Sequence, residues 1–454
     1  MKIIIAGGGK VGYSVAETLS AEGHDITLID RDPATISTIS NALDVICVEG
    51  SAANPETLLE AGAAEADLLL AATQTDEVNM ICGIAARKLG TAHVIARIRD
   101  PEYLAQTEFL RQALGLSVIV NPEYECAREI SRVLRFPNAV RVDAFSQGSM
   151  EIIEYRVPEG SKLVGLSLKE LPYRFGTRVL VCVAERGGEA IIPNGDFVLQ
   201  AGDRLSVSGE SREFKRFFEA LGQYRRPVRH VMIMGGGRIA VYLTRILKES
   251  GIEACIVEHD RERCDALCDL LPGTRILCGD ATESEVLTEE GLLRTDGFVA
   301  LTGDDEDNII TSLYAMRCKV PKIVTKVNRG HLAEMLEGFG IDSVVAPKEL
   351  VALQLVRFVR AMNDSVGSSM ETLHRLADGK VEALEFKVSE GSPMVGVPLK
   401  SLPLKKDVLV SAVIHQGKCL IPGGSTVIRP GDHAVLVARA GQIKTLGEAL
   451  EDKA

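Results

Sequence analysis

Short apolar runs alternate with stretches of helical spacing along the first part of the chain. The runs read "KIIIA", "DITLID", "DVICVE", "DLLLAAT", "HVIARI" and "SVIV". Between them, segments such as 10–22 and 76–89 repeat apolar residues at the spacing of an amphipathic helix. Strands that are apolar on both faces and separated by helices indicate a parallel sheet covered on both sides. The pattern therefore predicts a Rossmann-like, doubly wound α/β lobe over residues 1–136.

A different pattern follows over residues 141–221. Short alternating strands are separated by Pro, Gly, Asn and Asp, and helical spacing is rare, which predicts a small β-rich α+β lobe. Between the two patterns, "PEYECAREISRVLRF" (122–136) begins with a proline after a strand and has an apolar stripe at helical spacing. We expect this segment to be a helix that leaves the first lobe and packs on a partner surface.

The whole arrangement occurs twice in the chain. "IAGGGKVG" at 5–12 returns as "IMGGGRIA" at 233–240, and "VPEGSKLVGLSLKELP" at 157–172 returns as "VSEGSPMVGVPLKSLP" at 388–403. The connecting helix returns as "PKELVALQLVRFVRA" (347–361). A repeat this long predicts a tandem duplication of one two-lobe unit. We expect N-lobe 1 at 1–136, C-lobe 1 at 141–221, N-lobe 2 at 229–361 and C-lobe 2 at 370–454.

Composition and charge narrow the functional class. The chain has 454 residues and a net charge of −12, which argues against a nucleic-acid partner. No apolar run approaches the roughly 18 residues of a membrane span, and no signal peptide is visible at the N-terminus. Ten cysteines without dense spacing fit reduced thiols. We expect a soluble, cytoplasmic protein whose membrane role, if any, is exerted through a protein partner.

The glycine-rich turn of N-lobe 1 follows a strand and opens a helix, as in dinucleotide-binding folds. Gly7 suits the tight turn, Gly9 allows close approach of a pyrophosphate, and Gly12 allows the helix to pack on the strand. Asp30 ends the second strand, where its carboxylate can accept hydrogen bonds from both ribose hydroxyls and disfavour NADP. The alternative is a tight turn with Asp30 capping the next loop.

N-lobe 2 has the same motif with two exchanges. It keeps Gly235 and Gly237 but has Ala240 for the third glycine and Glu258 for the acid. Two interpretations stay open. The second pocket binds a nucleotide, or it is empty or weaker and keeps its glycines for packing alone.

Basic residues follow the fifth strand of each N-lobe. Arg97 and Arg99 leave this strand at its carboxyl end, the edge where open α/β sheets bind ligands. Lys326 and Asn328 stand at the equivalent positions. The two arginines either pair with phosphates of a bound nucleotide or are solvated surface residues.

Other reactive side chains predict little chemistry. Cys264, Cys268 and His259 are close in sequence, but no fourth metal ligand is evident, and reduced core thiols are the favoured interpretation. C-lobe 1 contains no histidine and offers no paired carboxylates or nucleophile-base pair. We therefore expect no metal site and no enzyme activity. A nucleotide site joined to a β-module without catalytic groups is typical of a ligand-driven regulator.

The order of these motifs, each present twice, resembles the tandem form of the regulator-of-potassium-conductance (RCK) family. This resemblance implies N-lobes that bind NAD(H), with ATP or ADP as alternative ligands, and smaller C-lobes. It also implies a homotetrameric gating ring attached to a potassium transporter membrane subunit of the TrkH or TrkG type, on the inner face of the cell membrane. Carried onto this sequence, the site residues are Gly7, Gly9, Lys10, Val11, Gly12, Asp30, Ser51, Thr73, Arg97 and Arg99 in copy one, and Gly235, Gly237, Arg238, Ile239, Glu258 and Asp280 in copy two.

One family feature is absent from copy one. The family often has Gly-Asp near the adenine after the third strand; Gly279-Asp280 fits, whereas copy one has Gly50-Ser51. Two rival functions remain. An NAD-dependent oxidoreductase would turn its cofactor over with a substrate, and a nucleotide-sensing transcription regulator would need a DNA-binding helix and a basic patch that are not visible.

Overall fold

The computed structural model describes residues 1–104, 106–224, 226–329, 331–341, 343–363 and 368–451. The last three residues of the predicted lobe at 370–454 lie outside this set. The chain divides into two compact units. One contains Met1–Ser131 and Val228–Val356, and the other contains Arg132–Pro227 and Arg357–Ala454.

N-lobe 1 is a parallel six-stranded sheet with the strand order β3-β2-β1-β4-β5-β6. This is the doubly wound order, in which β1 and β4 flank the switch point. The strands are β1 (Lys2–Ala6), β2 (Asp25–Asp30), β3 (Ile46–Glu49), β4 (Leu68–Ala71), β5 (His93–Arg97) and β6 (Val118–Val120). The helices are α1 (Lys10–Ala21), α2 (Pro33–Ala42), α3 (Pro55–Glu60), α4 (Asp76–Leu89), α5 (Pro101–Leu104), α6 (Thr107–Ala113) and α7 (Pro122–Arg135).

C-lobe 1 is an antiparallel five-stranded sheet in the order β10-β9-β11-β8-β7. Phenylalanines of its last helix pack on one face of this sheet. The elements are β7 (Arg141–Phe145), β8 (Met150–Arg156), α8 (Leu171–Phe175), β9 (Leu180–Arg186), β10 (Glu189–Ile191), β11 (Arg204–Gly209) and α9 (Ser211–Leu221), with 3-10 turns at Ser146–Gly148 and Leu168–Glu170.

N-lobe 2 repeats the parallel sheet in the order β14-β13-β12-β15-β16-β17. Its strands are β12 (His230–Met234), β13 (Glu253–Glu258), β14 (Arg275–Cys278), β15 (Gly297–Ala300), β16 (Lys322–Lys326) and β17 (Val344–Val345). Its helices are α10 (Arg238–Glu249), α11 (Arg261–Leu270), α12 (Ser284–Glu289), α13 (Asp305–Arg317), α14 (His331–Gly338) and α15 (Pro347–Asn363), with a 3-10 turn at Leu292–Arg294.

C-lobe 2 repeats the antiparallel sheet in the order β18-β19-β22-β20-β21. The strands are β18 (Ser368–Leu376), β19 (Val381–Val388), β20 (Val408–His415), β21 (Lys418–Leu420) and β22 (His433–Arg439), with 3-10 turns at Leu399–Ser401 and Gly447–Ala449. The fold class predicted from the sequence, two tandem copies of a parallel-sheet N-lobe and a β-rich C-lobe, is confirmed.

Within each unit the two copies pack against each other. In the first unit, the hydroxyl of Tyr242 on α10 donates to Arg99 O at 2.8 Å and accepts from Asn121 Nδ2 at 3.0 Å. In the second unit, one apolar core draws residues from both C-lobes, among them Phe145 and Val437. The pseudo-symmetric halves therefore meet N-lobe to N-lobe and C-lobe to C-lobe.

The connecting helices α7 and α15 find their packing surfaces inside the chain. Ile130 and Leu134 on α7 are fully buried, as are Val356 and Val359 on α15. The apolar stripes predicted for 122–136 and 347–361 are thus covered without a second subunit.

Candidate functional site

A cavity of about 540 Å³ opens at the carboxyl edge of the N-lobe 1 sheet, beside the switch point between β1 and β4. Open α/β sheets bind ligands at this place. The lining comes from the glycine-rich turn, the ends of β2, β4 and β5, and the segment after β3. The lining residues are Gly7, Gly9, Lys10, Val11, Ile29, Asp30, Arg31, Asp32, Thr35, Gly50, Ala52, Ala72, Thr73, Gln74, Thr75, Val78 and Arg97.

The three glycines of the first turn have different structural reasons. Gly7 has a φ of +106°, and a Cβ there would lie 2.7 Å from Ala72 O. At Gly12 a Cβ would lie 1.8 Å from Gly7 O, so this glycine allows α1 to start directly against the turn. Gly9 differs because a Cβ would meet nothing within 4 Å. Gly7 and Gly12 therefore shape the turn, and Gly9 leaves its space open toward the cavity.

Asp30 is held against the glycine-rich turn by backbone donors. Its Oδ2 accepts from Gly8 N at 2.6 Å, and its Oδ1 accepts from Asp32 N at 3.0 Å. Because the side chain is only half-buried and lines the cavity, the carboxylate keeps further lone pairs for a ligand. The structure places Asp30 at the cavity, as the motif predicts.

Arg31 is a cavity residue that sequence reasoning missed. Its Nη2 donates to Ser51 Oγ at 2.8 Å. The predicted residue Ser51 is thus engaged by Arg31 and does not itself line the cavity, whereas its neighbours Gly50 and Ala52 do. The available signal was the position of Arg31, directly after the acid that ends β2.

Thr73 and Arg97 are joined by a network through Asn79. Thr73 donates to Asn79 Oδ1 from both its N–H and its Oγ1, each at 2.7 Å, and Asn79 Nδ2 donates to Arg97 O at 2.8 Å. The Arg97 guanidinium returns a hydrogen bond to Thr73 O. Burial, reinforced by the charge of Arg99, lowers the pKa of Arg97 to about 10. Arg97 thus brings a half-buried positive charge to the cavity wall.

Arg99 does not line the cavity. Its Nε lies 3.3 Å from Asp76 Oδ1, and its guanidinium also donates to Gln74 O. The side chain therefore neutralises the carboxylate at the start of α4. Of the two arginines predicted to face phosphates, the structure brings Arg97 to the cavity and leaves Arg99 outside it.

The acid of N-lobe 2 is more enclosed than its counterpart. Glu258 is buried, its Oε2 accepts from Gly236 N at 2.7 Å, and its Oε1 lies 3.0 Å from His259 Nδ1. Arg263 Nε donates to Gly236 O at 2.8 Å and so lies against the glycine-rich turn. Glu258 is thus less exposed than Asp30, although each acid accepts from the same two backbone N–H groups, Gly236 and Asp260 in N-lobe 2 as Gly8 and Asp32 in N-lobe 1.

The remaining predicted residues of N-lobe 2 lie around the same turn. Gly235 has a φ of +94°, and a Cβ at Gly237 would meet nothing within 4 Å, as at Gly9. Arg238 and Ile239 begin α10, the first exposed and the second buried. Asp280 is exposed and accepts from Thr282 N at 2.8 Å, and hydrogen bonds from Thr282 lower its pKa.

N-lobe 2 repeats this hydrogen-bond network of a threonine, an asparagine and a basic residue. Thr302 donates to Asn308 Oδ1 from its N–H and Oγ1 at 2.9 Å, and Asn308 Nδ2 donates to Lys326 O at 3.1 Å. Lys326 Nζ donates to Thr302 O at 2.6 Å, and burial lowers the pKa of this lysine. Lys326 therefore stands where N-lobe 1 has Arg97.

The second residue of α15 lies beside the glycine-rich turn of the opposite N-lobe, and the second residue of α7 lies among arginines of both N-lobes. Lys348 of α15 lines a hollow of about 410 Å³ that shares Gly9 and Lys10 with the cavity of N-lobe 1. The positive charges of Arg97 and, from N-lobe 2, Arg238 act on the carboxyl group of Glu123 on α7. Burial raises the pKa of Glu123, and these arginines oppose that shift. The motif analysis missed both residues, although each follows the last strand at the ligand-binding edge.

The cysteines near His259 do not gather into a metal site in the part of the chain that the structure describes. Cys264 is buried and Cys268 is exposed. Burial raises the pKa of Cys264 to about 11, as for an inert thiol.

Family models match both halves of the chain. The TrkA-N domain matches residues 3–122 and 231–347, and the TrkA-C domain matches residues 152–222 and 383–451. These matches follow the order of lobes in the structure, N-lobe then C-lobe, twice.

Full-length relatives agree. The chain is 34% identical over 449 residues to the Trk system potassium uptake protein TrkA homolog of Archaeoglobus fulgidus, covering 99% of both chains. It is 33% identical over 442 residues to the Trk system potassium uptake protein TrkA of Vibrio alginolyticus, covering 96% of this chain and 95% of that protein. These names describe potassium uptake proteins rather than enzymes, in agreement with the expectation of no catalytic activity.

A solved structure shares the fold. The GsuK channel bound to NAD has a TM-score of 0.63 and 18% identity, covering 99% of this chain and 78% of that one. None of the described helices of the present chain is long and apolar enough to cross a membrane. From the domain matches and the full-length relatives, the chain belongs to the TrkA family.

Proposed function

We propose that the chain binds NAD(H), ATP or ADP in the cavity of N-lobe 1 and thereby regulates potassium flux through a membrane subunit of the TrkH or TrkG type. The observation that carries the proposal is the arrangement of the cavity. A fixed carboxylate, Asp30, lies at one end, and Arg97 lies at the β5 end. An adenine nucleotide has a ribose diol and anionic phosphates to match these two groups.

The phosphate end combines a helix N-terminus with nearby positive charge. Gly9 is the N-cap of α1 and supplies no side chain to satisfy the first N–H groups of the helix. Such N–H groups and the helix dipole favour an anion at this position. Lys10 lines the same space. The residues of this cavity thus fit an NAD pyrophosphate or the phosphates of ATP or ADP, and the solved GsuK channel bound to NAD supports this ligand class.

The two N-lobes offer different electrostatic environments to phosphate. N-lobe 1 receives Lys348 from the opposite lobe, next to its own Lys10. N-lobe 2 has the carboxylate of Glu123 within electrostatic range of its Arg238, although Arg99 and Arg97 of N-lobe 1 act on Glu123 more strongly. A carboxylate at the second turn competes with phosphate for the local cation, whereas an ammonium at the first turn adds attraction. We infer that N-lobe 1 is the stronger nucleotide site and N-lobe 2 the weaker or empty one.

The oxidoreductase alternative finds little support at the cavity. A hydride-transfer enzyme needs a general acid or base beside the nicotinamide. The acids among the described lining residues are Asp30 and Asp32, both at the ribose end, and no lining residue is a histidine. The cavity can bind and orient a nucleotide, and its residues fit conformational signalling better than turnover.

Assembly into a homotetramer is supported by apolar side chains left exposed on equivalent elements of both N-lobes. Ile81 of α4 is 50% exposed and its counterpart Ile310 of α13 is 64% exposed. Phe109 of α6 and Phe339, just after α14, are also exposed. Exposed apolar side chains that recur at equivalent places of both lobes are candidates for an interaction surface. Two N-lobes per chain with such faces allow four chains to close a ring of eight N-lobes.

Nucleotide binding can be coupled to flux through the contact between the two N-lobes. A ligand shifts a conformational equilibrium only by its different affinity for the two states. The cavity lies beside that contact. The charge of Arg238 in N-lobe 2 contributes to lowering the pKa of Arg97 on the cavity wall. A triphosphate and a dinucleotide would bring different amounts of negative charge to Arg97 and Lys348. The two ligands would therefore favour different arrangements of the N-lobes.

The test is potassium flux into vesicles that carry the membrane subunit, measured with and without the chain and with NADH, NAD, ATP or ADP. We expect the chain to change flux in a nucleotide-dependent way and Gly9→Glu to abolish the dependence. Unchanged flux under every nucleotide, together with NADH consumption in the presence of a metabolite, would replace the regulator by an oxidoreductase. Affinity purification from membranes identifies the partner subunit.

A further inference from the structure

Three side chains of C-lobe 2 converge on one point beside the contact with C-lobe 1. His433 Nδ1 at the start of β22 lies 3.0 Å from Glu385 Oε1 on β19 and 3.1 Å from Glu371 Oε2 on β18. Glu385 is 1% exposed, whereas His433 and Glu371 are 25% and 38% exposed. One imidazole nitrogen and two carboxylates therefore meet at a position that solvent can reach.

The equivalent position in C-lobe 1 has a built-in cation. Arg204 is the first residue of β11, as His433 is the first residue of β22. Arg204 pairs with Arg156, two residues after the buried Glu154. His433 pairs with Lys387, two residues after the buried Glu385. Arg204 Nε donates to Glu154 Oε1 at 2.6 Å, and Arg141 is the cross-strand neighbour of Glu154. C-lobe 1 thus pairs its buried glutamate with Arg204, and Arg141, which pairs with Asp143, adds a second positive charge nearby.

C-lobe 2 replaces these arginines by groups that bind metals. His433 stands for Arg204, and the strand opposite Glu385 is interrupted by a β-bulge between Met370 and Thr372. The bulge leaves Glu371 as the extra residue and lets its side chain reach His433. Bulges commonly re-aim a side chain at a functional position. Two carboxylates and one imidazole remain, with no arginine in the place of Arg204.

Glu385 is held in place from the other C-lobe. Ser146 N donates to Glu385 Oε2 at 3.2 Å, and Ser146 Oγ donates to Oε1. Ser146 has a φ of +44°, a left-handed conformation that a non-glycine residue adopts only at some cost. A contact to the buried carboxylate accompanies this conformation. The cluster therefore includes a residue of each C-lobe.

We propose that Glu371, Glu385 and His433 bind a divalent first-row transition metal ion, with zinc as the reference ion. A tetrahedral ion with bonds of about 2.1 Å holds its ligand atoms about 3.4 Å apart. The present separations of 3.0 and 3.1 Å from His433 Nδ1 are close to that spacing. An imidazole ligand favours zinc over magnesium, calcium and manganese, which suit oxygen ligands. Water completes the coordination on the exposed side.

The ion would stiffen the contact between the C-lobes. It would fix the carboxylate of Glu385, which Ser146 of C-lobe 1 also contacts, and would supply the positive charge that Arg204 supplies in the other copy. The proposal is independent of nucleotide binding, because its ligands belong to the C-lobes and not to the cavity of N-lobe 1.

Zinc binding to the full-length chain provides the test. In calorimetric titration with zinc chloride, after treatment with chelator, we expect one site per chain and a higher melting temperature with zinc. Glu371→Gln and His433→Gln should each weaken binding about tenfold or more, because losing a ligand costs at least as much as losing an outer-shell partner. Cobalt in place of zinc should give a visible absorption band that both variants lose.

His415→Gln is the matched control, since His415 lies 2.5 Å from Asp432 in the same lobe but outside the cluster. We expect it to bind zinc like the wild type. Absence of zinc binding in the wild type, or equal binding in all three variants, would overturn the proposal. In the first case the contacts of His433 Nδ1 with the two carboxylates account for the cluster without a metal ion. Unchanged melting curves of the metal-free variants separate ligand loss from misfolding.

Discussion

The two N-lobes share a sheet and a glycine-rich turn but differ in the charges around the turn. In N-lobe 1 the acid Asp30 is half-buried, and Lys348 arrives from the opposite lobe. In N-lobe 2 the acid Glu258 is buried, and the charge of Glu123 acts on Arg238. The comparison teaches that glycines alone do not distinguish a strong nucleotide site from a weak one. We infer that the charges on the connecting helices contribute to the difference in affinity that we propose between the two lobes.

The third position of the motif makes the same point. A Cβ at Gly12 would lie 1.8 Å from Gly7 O, yet Ala240 at the equivalent position of N-lobe 2 is accommodated and fully buried. The two turns are therefore not superposable in detail, although both sheets have the same order. A backbone difference at this position is compatible with the proposed difference in nucleotide binding between the two turns.

The largest expected effect comes from Gly9→Glu compared with Gly237→Glu. The new carboxylate at position 9 enters the space reserved for phosphates, whereas at 237 it enters a turn that we infer to be weak or empty. We expect Gly9→Glu to weaken NADH and ATP binding about 100-fold or more, equivalent to about 2.7 kcal/mol or more. Gly237→Glu should leave the tightest site intact. Calorimetric titration of each variant with NADH and ATP distinguishes the two outcomes. Unchanged binding in Gly9→Glu would contradict the assignment of the nucleotide site to N-lobe 1.

Arg97→Ala should weaken ATP more than NADH, because a terminal phosphate presents more charge to the cavity wall. A charge-assisted hydrogen bond contributes roughly 1.5–3 kcal/mol, so a loss of about 10- to 100-fold is expected for ATP. Arg97→Lys copies the residue of N-lobe 2 and should retain the fold. Arg99→Ala is the control, since Arg99 pairs with Asp76 outside the cavity. Equal losses from Arg97→Ala and Arg99→Ala would contradict this division of roles.

Exchanging the charges brought by the connecting helices should reduce the difference between the lobes. Lys348→Glu is expected to weaken ATP binding to N-lobe 1 up to about tenfold, and Glu123→Lys to strengthen binding to N-lobe 2 by a similar or smaller factor. The effect of Lys348→Glu should fade more as salt is raised than that of Glu123→Lys, because Glu123 is the more buried of the two. Titrations at low and high ionic strength check this prediction, and salt-independent changes would speak against a direct charge effect.

The smallest effect concerns Asp305 and the dependence of stability on pH. Burial acts to raise the pKa of Asp305, but hydrogen bonds from Asn328 N at 2.8 Å and Arg329 N at 3.1 Å outweigh it, and the pKa is lowered. A carboxyl with a lowered folded-state pKa stabilises the fold at neutral pH, and this contribution is lost as pH falls through that pKa. We expect Asp305→Asn to flatten the acid side of the stability curve. Denaturant midpoints measured at neutral and acidic pH give the comparison, and parallel curves would show that Asp305 contributes nothing.

Much of the fold was predictable because its signals are local. Apolar runs and the glycine-rich turn predicted the parallel sheets, and the repeat predicted the second copy. The positions of Gly9, Asp30, Thr73 and Arg97 at one edge followed from the rule that strands of a parallel sheet end together.

What the sequence did not predict depends on contacts between distant segments. Lys348 and the cavity of N-lobe 1 are joined only because the N-lobes pack on each other, and no pattern near either residue encodes that contact. Arg99 was expected beside Arg97, but the carboxylate of Asp76 holds it outside the cavity. The cluster at His433 was missed because Glu371, Glu385 and His433 lie on three different strands.

The most direct test of whether N-lobe 1 holds the nucleotide site is a titration of NADH into three forms of the chain. The forms are the wild type, Asp30→Ala and Glu258→Ala, which remove the ribose acid from one lobe at a time. We expect one strong NADH site per chain in the wild type. This site should be lost in Asp30→Ala and retained in Glu258→Ala. Retention of the strong site in Asp30→Ala with loss in Glu258→Ala, or equal losses in both, would contradict this expectation.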